Sequence, residues 1–457
     1  MSINSKTNSP TPGQESRPDD GRLAAPSTLI RGARLIDPEA GIDKVCTLLI
    51  SPDGVLLDPP SVPPGVQEID ASGLWALPGL VDLQVHFRQP GFEYKETIES
   101  GSQAALAGGI TSVVVMPNTH PSLDTPEQVR YEIEEARRVD GIDLMVAAAV
   151  TEGLQGEHLT DHSALKNAGA VAVTDDGLPV MDDAVMEHSL RQCAELDLLF
   201  MQHAEDLTIS QHAPMTLGPT SRKLGVRGQS ADAEGVLVER DIRLAEKVGA
   251  RYHVLHTSTR RSLDAIRQAR ARGAKVSCEA SPHHLLLTDE ACGDGDSNFK
   301  MNPPLRCEDD RQALVDAVVD GTVDAVATDH APHASDEKAR GFVDAPFGVV
   351  GLATALAAVL RLMHDGLISD RRAVELLTSG PARVLHRSGD LGTVVGPGAP
   401  ANLCLVDPER EWVVTQDSLR GRSKNSAFLG QTFRGRVVAT FLRGRLRYTL
   451  LEGPTFP

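Results

Sequence analysis

The sequence contains no pair of cysteines at metal-like or disulfide-like spacing: its six Cys, at 46, 193, 278, 292, 307 and 404, are scattered. That excludes a CxxC ribbon, argues against a disulfide framework, and fits mostly buried thiols in a reducing cytoplasm. Positive charge is also in short supply. With 45 basic against 63 acidic residues and a net charge of −18, bulk electrostatics offer nothing to a nucleic acid, although a local Arg can still take a small anion. No apolar segment approaches the roughly 20 residues of a membrane span. The N-terminus has no basic region followed by an apolar run, so no secretory signal is read there. Internal repeats and coiled-coil heptads are missing too. The expectation is a soluble, cytoplasmic protein that acts on small molecules, without nucleic-acid or membrane partners.

What is present is a chain of 457 residues, 41% hydrophobic, enough for a large barrel and a smaller unit beside it. Residues 1–27 are rich in Ser, Pro, Gly, Asn and Asp and read as a disordered tail, because they cannot bury enough surface to offset their ordering entropy. Short β-type runs follow at 29–36, 47–50 and 54–57, broken by Asp-Pro, Asp-Gly and Pro-Pro. From Pro78 the pattern becomes strand, polar loop and helix, repeated. Strands are expected at 79–85, 111–117, 143–150, 170–175, 197–202, 251–257, 275–280 and 323–328. Helices are expected at 95–107, 126–137, 182–195, 231–247, 261–272 and 309–319, the second capped by Thr125 with Pro126 at its first position. This alternation predicts a (β/α)8 barrel over 78–391. A doubly wound open sheet would be expected to carry a Gly-rich phosphate loop after its first strand, and none is there. β character returns at 401–406, 411–414 and 435–442, so 28–77 and 392–457 are expected to pair into one small composite β domain.

In such a barrel the chemistry sits at the C-terminal ends of the strands. There the chain places Gln84-Val85-His86-Phe87-Arg88, Met116-Pro117-Asn118-Thr119, Thr174-Asp175-Asp176-Gly177, His203, His256 and Thr328-Asp329-His330-Ala331-Pro332-His333. Residues two apart on a strand share a face, so Gln84, His86 and Arg88 project together. A lone His there is more often core or surface filler than a ligand. His and Asp recurring from one strand end to the next predict a metal site instead. Imidazole and carboxylate donors without thiolate suit Zn2+, with Mn2+, Co2+ or Fe2+ as chemical alternatives. Such a metal lowers the pKa of water and polarises a carbonyl, and the Asp at the eighth strand would shuttle the proton.

The segment from Pro78 to Pro121, with His-Phe-Arg-Gln-Pro-Gly-Phe-Glu-Tyr-Lys-Glu-Thr and Met-Pro-Asn-Thr, closely resembles dihydroorotases of the long bacterial type, in the amidohydrolase superfamily. So do Thr174-Asp175-Asp176-Gly177, Ser281-Pro282-His283-His284-Leu285, Lys300-Met301-Asn302-Pro303-Pro304-Leu305-Arg306 and Thr328–His333. The resemblance covers essentially everything after the tail. It implies reversible cyclisation of N-carbamoyl-L-aspartate to L-dihydroorotate, a step of pyrimidine synthesis. By motif match it implies His86 on a first zinc, Asp176 bridging two metals, and His203 and His256 on the second. Asp329 would bind the first metal and serve as general base, then acid. Arg88 and Asn118 would hold the substrate's α-carboxylate, a task suited to a planar guanidinium. Asn302, His333 and the backbone at Phe347–Gly348 would contact the rest, with His86 beside them. Asp175 is expected to point into the core. His283, His284 and His330 read as structural, and His253 is out of phase with His256. The resemblance also implies a homo-oligomer and an aspartate transcarbamoylase partner.

Two positions depart from the family pattern. Gln84 stands where the family has a His ligand, and a neutral amide coordinates zinc far more weakly than imidazole. Zinc is therefore expected to prefer the second position, at Asp176, His203 and His256. Ala353 stands where a supporting Glu is usual. Two readings of different class follow: a zinc dihydroorotase with a weakened first metal position, or a catalytically silent relative kept as a structural partner of aspartate transcarbamoylase. Retention of Arg88, Asn118, Asn302, Asp329 and His333 favours the enzyme. A hydantoinase or allantoinase, whose metals are usually bridged by a carboxylated Lys, is disfavoured because the fourth strand ends in Asp175-Asp176 with no Lys.

Overall fold

The computed structural model describes residues 27–396 and 398–451. The expected tail therefore lies, but for its last residue, outside the described residues, as does the end of the C-terminal segment.

The N-terminal segment supplies β1 (Thr28–Asp37), β2 (Ile42–Ser51), β3 (Gly54–Leu57), β4 (Gln67–Asp70) and β5 (Trp75–Pro78). The barrel follows with β6 (Leu80–Val85), β7 (Ile110–Val115), β8 (Asp143–Ala148), β9 (Ala170–Val173) and β10 (Leu199–Gln202). A two-stranded ribbon of β11 (Met215–Thr216) and β12 (Gly228–Gln229) interrupts it. The barrel resumes with β13 (Tyr252–Val254), β14 (Val276–Ala280) and β15 (Ala325–Val326). The chain ends in β16 (Leu403–Val413), β17 (Thr432–Leu442) and β18 (Arg445–Thr449).

The barrel strands run in the order β15-β14-β13-β10-β9-β8-β7-β6, all parallel. Closure between its ends is made beyond the short β15, by a parallel bridge of Val85 to His330 in which His86 N donates to His330 O at 2.8 Å. The Asp82 carboxylate adds a stitch, accepting from Thr328 N at 3.0 Å and Thr328 Oγ1 at 2.6 Å. β6 and β7 are buried at every position, as strands covered on both faces must be. Val81, Leu83, Val114, Met116, Ala147, Leu199 and Met201 fill the barrel, while Val113, Val115, Val146, Phe200 and Val254 face the surrounding helices. Burying each such aliphatic side chain is worth roughly 1.5–3 kcal/mol.

The flanking segments share one sheet, ordered β18-β17-β16-β5-β1-β2-β3 with β4 on β1. β5 is the joint: it pairs antiparallel with β16 from Leu403↔Pro78 to Val406↔Trp75, and parallel with β1. One residue later the chain enters the barrel. Gly79 has no room for a side chain there, since a Cβ would come within 2.2 Å of Thr111 Oγ1.

The expected barrel helices form at Ile98–Ala107, Pro126–Arg138, Asp183–Leu196, Asp232–Val248, Arg260–Ala271 and Glu308–Val319. Thr125 caps the second as expected, accepting from Gln128 N. The first begins three residues later than expected because Thr97 takes the N-cap and closes a box with Ser100. Helices at His162–Ala168 and Ala355–His364 were not anticipated. The eighth strand is two residues rather than six, because Thr328 and Asp329 leave the ladder for the stitch and the site. Five of the six thiols are buried and all are unpaired; only Cys307 is exposed. No helix among the described residues is long and apolar enough to cross a membrane.

Candidate metal centre

Three strand-end residues have left-handed backbones: Arg88 (φ 61°), His256 (φ 29°) and Asp329 (φ 49°). Non-glycine residues rarely adopt this conformation, and it turns side chains inward that an extended strand would send elsewhere. His86, Arg88, Asn118, Asp176, His203, His256, Asn302, Asp329, Phe347 and Gly348 line one cavity of about 120 Å3. His333 stands just behind, its Nε2 donating to Phe347 O at 2.7 Å.

Two donor groups meet at Asp176. Its Oδ2 lies 3.2 Å from His86 Nε2, which is also 3.2 Å from Asp329 Oδ1. Its Oδ1 lies 3.6 Å from His203 Nδ1 and 3.5 Å from His256 Nε2, and has no hydrogen-bond partner although fully buried. Each set, His86–Asp176–Asp329 and Asp176–His203–His256, brings its ligand atoms within 4.8 Å of one another.

Neighbours orient two of the three rings. His86 Nδ1 donates to Asn118 Oδ1 at 2.8 Å, so Nε2 faces the carboxylates of Asp176 and Asp329. His203 Nε2 donates to Glu205 Oε2 at 3.1 Å, so Nδ1 faces Asp176 and lies 2.9 Å from His256 Nε2. Glu205 is held in turn by Gln229 Nε2 at 2.9 Å and Asn302 Nδ2 at 2.7 Å. A carboxylate behind a histidine in this way is the usual outer partner of a metal-bound imidazole. Burial opposes protonation of His86 and His203, but Asp176 with Asp329 raises the first to about 9, and Asp176 with Glu205 raises the second to about 10. Carboxylates that strong in so dry a place demand a cation. The orphaned Asp176 oxygen, the imidazole nitrogens turned toward it and this field all fit a pair of divalent ions with nitrogen and oxygen donors, zinc among them.

Gln84 is fully buried, neither amide atom has a hydrogen-bond partner, and it does not line the cavity. It adds no imidazole to the first group. Asp175 turns away, as expected: it accepts from Val150 N at 2.8 Å and Thr151 N at 3.1 Å. His253, His284 and His330 join neither donor group, bonding to Ser277 and Glu279, to Pro303 O and to Gly351 N respectively. His283 is buried apart from both. Ala353 packs beside an apolar cluster that includes Val350 and Phe428.

Two residues carry duties beyond those the sequence suggested. The amides of Asn118 and Asn302 line the cavity but are committed to His86 and Glu205. Arg88 is half-buried, and desolvation lowers its guanidinium to about 10, still charged at neutral pH. Its Nε donates to Pro332 O at 3.2 Å, leaving an Nη edge near His333. Burial and the charges of Arg88, Lys95 and Lys338 push His333 down to about 2, so it is neutral, with Lys95 Nζ 3.3 Å from Nδ1. Sequence reasoning missed Glu205, Gln229 and Lys95. Only Glu205, two residues past a ligand at a strand end, carried a readable signal.

The family model described as dihydro-orotase-like matches residues 73–262. Among curated relatives, the dihydroorotase of Solibacter usitatus is 42% identical over 423 residues, covering 92% of this chain and 98% of its own. That of Geobacter metallireducens is 43% identical over 422 residues, covering 92% and 99%. Among solved structures, the L-hydantoinase from Arthrobacter aurescens superposes with a TM-score of 0.83 at 24% identity, over 94% of this chain and 97% of that one. At that identity the likeness speaks for the fold.

Proposed function

The chain belongs to the dihydroorotase family of cyclic amide hydrolases, and from that membership we propose that it opens and closes the L-dihydroorotate ring, N-carbamoyl-L-aspartate being the open form. His86, Asp176 and Asp329 would hold one divalent ion and Asp176, His203 and His256 a second, zinc by the character of the donors. Bound there, the ions supply Lewis acidity that polarises the ring amide and acidifies water. The rest falls to the chain. Arg88 presents a half-buried guanidinium edge to the substrate carboxylate, with the Phe347–Gly348 backbone also lining the cavity. Asp329 takes the proton of the attacking water and returns it to the ring nitrogen as the C–N bond breaks; in cyclisation the same carboxyl runs the transfer backwards.

The observation that supports this reading best is Asp176, which faces one donor group with each oxygen inside the cavity that Arg88 and Gly348 line. A silent scaffold has no need of that arrangement. The decisive experiment is dihydroorotate hydrolysis by the purified protein supplied with zinc, beside Asp329→Asn. Turnover is expected in the first and a loss of about 10³-fold or more in the second, with KM little changed; equal rates would defeat the assignment. The same reading puts the enzyme in the cytoplasm as a homo-oligomer with an aspartate transcarbamoylase partner, which co-elution with that enzyme tests.

A further inference from the structure

The stretch 343–350 contributes Phe347 and Gly348 to the cavity wall, yet it is irregular apart from a bridge of Val349 to His330. Two buried lysines hold it. The Lys338 ammonium lies 3.1 Å from Pro346 O, 3.1 Å from Gly348 O and 3.4 Å from Lys300 O. Lys300 donates to Val343 O at 2.7 Å and Ala345 O at 2.6 Å, and its ammonium sits 4.5 Å over the Phe347 ring. Gly348 N returns to Lys300 O at 3.0 Å. The run that leads to Asn302 and the run that leads to Gly348 are thus braced against each other, with the Lys338 ammonium gathering carbonyls from both.

We propose that Lys338 is a positioning residue for substrate binding, its ammonium seating the Phe347–Gly348 backbone at the cavity wall by gathering the carbonyls of Pro346, Gly348 and Lys300.

A buried ammonium is costly unless all its donors are used. Lys338 has three N–H groups for three carbonyls, and no carboxylate among the described residues pairs with it. Burial and the neighbouring Lys300 charge lower its amino group to about 7, so the fold keeps this cation at an electrostatic disadvantage. Besides the Gly348 N–Lys300 O bond and the Lys300 side chain, which takes the carbonyls of Val343 and Ala345, only Lys338 gathers Pro346 O and Gly348 O together with Lys300 O; Asn425 Nδ2 reaches Gly348 O at 3.1 Å and Ala331 O at 3.2 Å, but not the Lys300 side. Gly348 itself has φ 124°, and a Cβ there would lie 2.6 Å from Ala331 Cβ, so the wall is set by backbone rather than by side-chain packing.

The identity of the substrate rests on the dihydroorotase reading; the brace does not. The test therefore has two arms on the full-length, zinc-supplied protein: amide hydrogen exchange of peptides spanning 297–303 and 341–350, and KM and kcat for dihydroorotate. In Lys338→Met, exchange in those two peptides should speed about tenfold while the rest of the chain holds, as expected for loss of a charge-assisted hydrogen-bond set. KM should rise about tenfold with kcat within about twofold. Lys338→Arg, which keeps charge and donors, should recover part of both. Unchanged exchange, or a fall in kcat at constant KM, overturns the proposal. So does faster exchange across the whole chain. If the Met variant does not fold, Lys338→Gln replaces it, and failure of both to fold counts against a local role. A wild type that neither binds nor turns over dihydroorotate defeats the functional reading, and exchange still decides the brace.

Discussion

Two buried histidine–glutamate pairs lie within the same barrel, with the same 3.1 Å from Nε2 to Oε2, and they carry opposite charge states. In His203–Glu205 at the cavity, burial is outweighed: Asp176 and Glu205 raise the imidazole to about 10, and His203 with further donors lowers the carboxyl to about 2. In His253–Glu279, burial wins. The imidazole falls to about 3 and the carboxyl rises to about 8, helped upward by the fields of Asp176 and Asp329. The second pair is a neutral acid donating to a neutral ring. Contact geometry is therefore no guide to protonation; the number of donors and carboxylates around the pair decides it. One pair is poised to back a metal ligand, and the other is a hydrogen bond in a core.

Glu205→Gln should break the comparison most visibly. It keeps the shape but removes the charge behind His203, and zinc affinity at the second position should fall about 10–100-fold, read by competition with a chelator. Gln84→His probes the same interior layer from the first strand. It places an imidazole where an unsatisfied amide sits, and at limiting zinc should raise bound metal per chain from about one toward about two, with affinity at the first position up about tenfold. A stoichiometry that stays at about one would show that the added imidazole does not fill the first position, and about two already in the wild type would show that His86, Asp176 and Asp329 suffice.

Glu279→Gln should do little to activity, because a neutral amide replaces a neutral acid; kcat is expected within about threefold of wild type. Its effect belongs to stability. Folded Glu279 holds its proton up to about 8 against 4.5 for an ordinary glutamate, so its contribution is full below 4.5 and lost as pH rises through 8. Glu205, at about 2 against 4.5, contributes in the opposite sense: fully above 4.5, and lost as pH falls through 2. Urea unfolding of metal-stripped protein should therefore show Glu279→Gln flattening the decline between pH 4.5 and 8, by at most about 1.4 kcal/mol per pH unit.

Much of the architecture was legible because its signals are local. β6 and β7 read as mostly apolar strands, and Thr125-Pro126 announced a helix start that formed as expected. The metal-facing residues were legible for a related reason: a barrel puts its strand ends on one rim, so strand-end His and Asp converge without any knowledge of loops. Asp175 and Asp176 were separable only through resemblance; the structure gives the cause, since Val150 N and Thr151 N capture the former. Glu205 was passed over although it stands two residues past a ligand, because that spacing fits a solvated strand-end charge as well; its bonds to His203, Gln229 and Asn302 are what set it apart. Gln229 and Lys338 lie on a ribbon and a short helix whose contacts are long-range.

By itself, the sequence determined the alternation of strand and helix and the donors available at the rim, because each follows from residue identity and spacing of two or 3.6; the missing imidazole at Gln84 showed only against the family resemblance. Only the tertiary structure decided which nitrogens of His86 and His203 turn toward Asp176, which His–Glu pair is charged, and that β5 joins the flanking segments through β16. Those depend on desolvation and on partners hundreds of residues away, and neither is written in any short stretch of the chain.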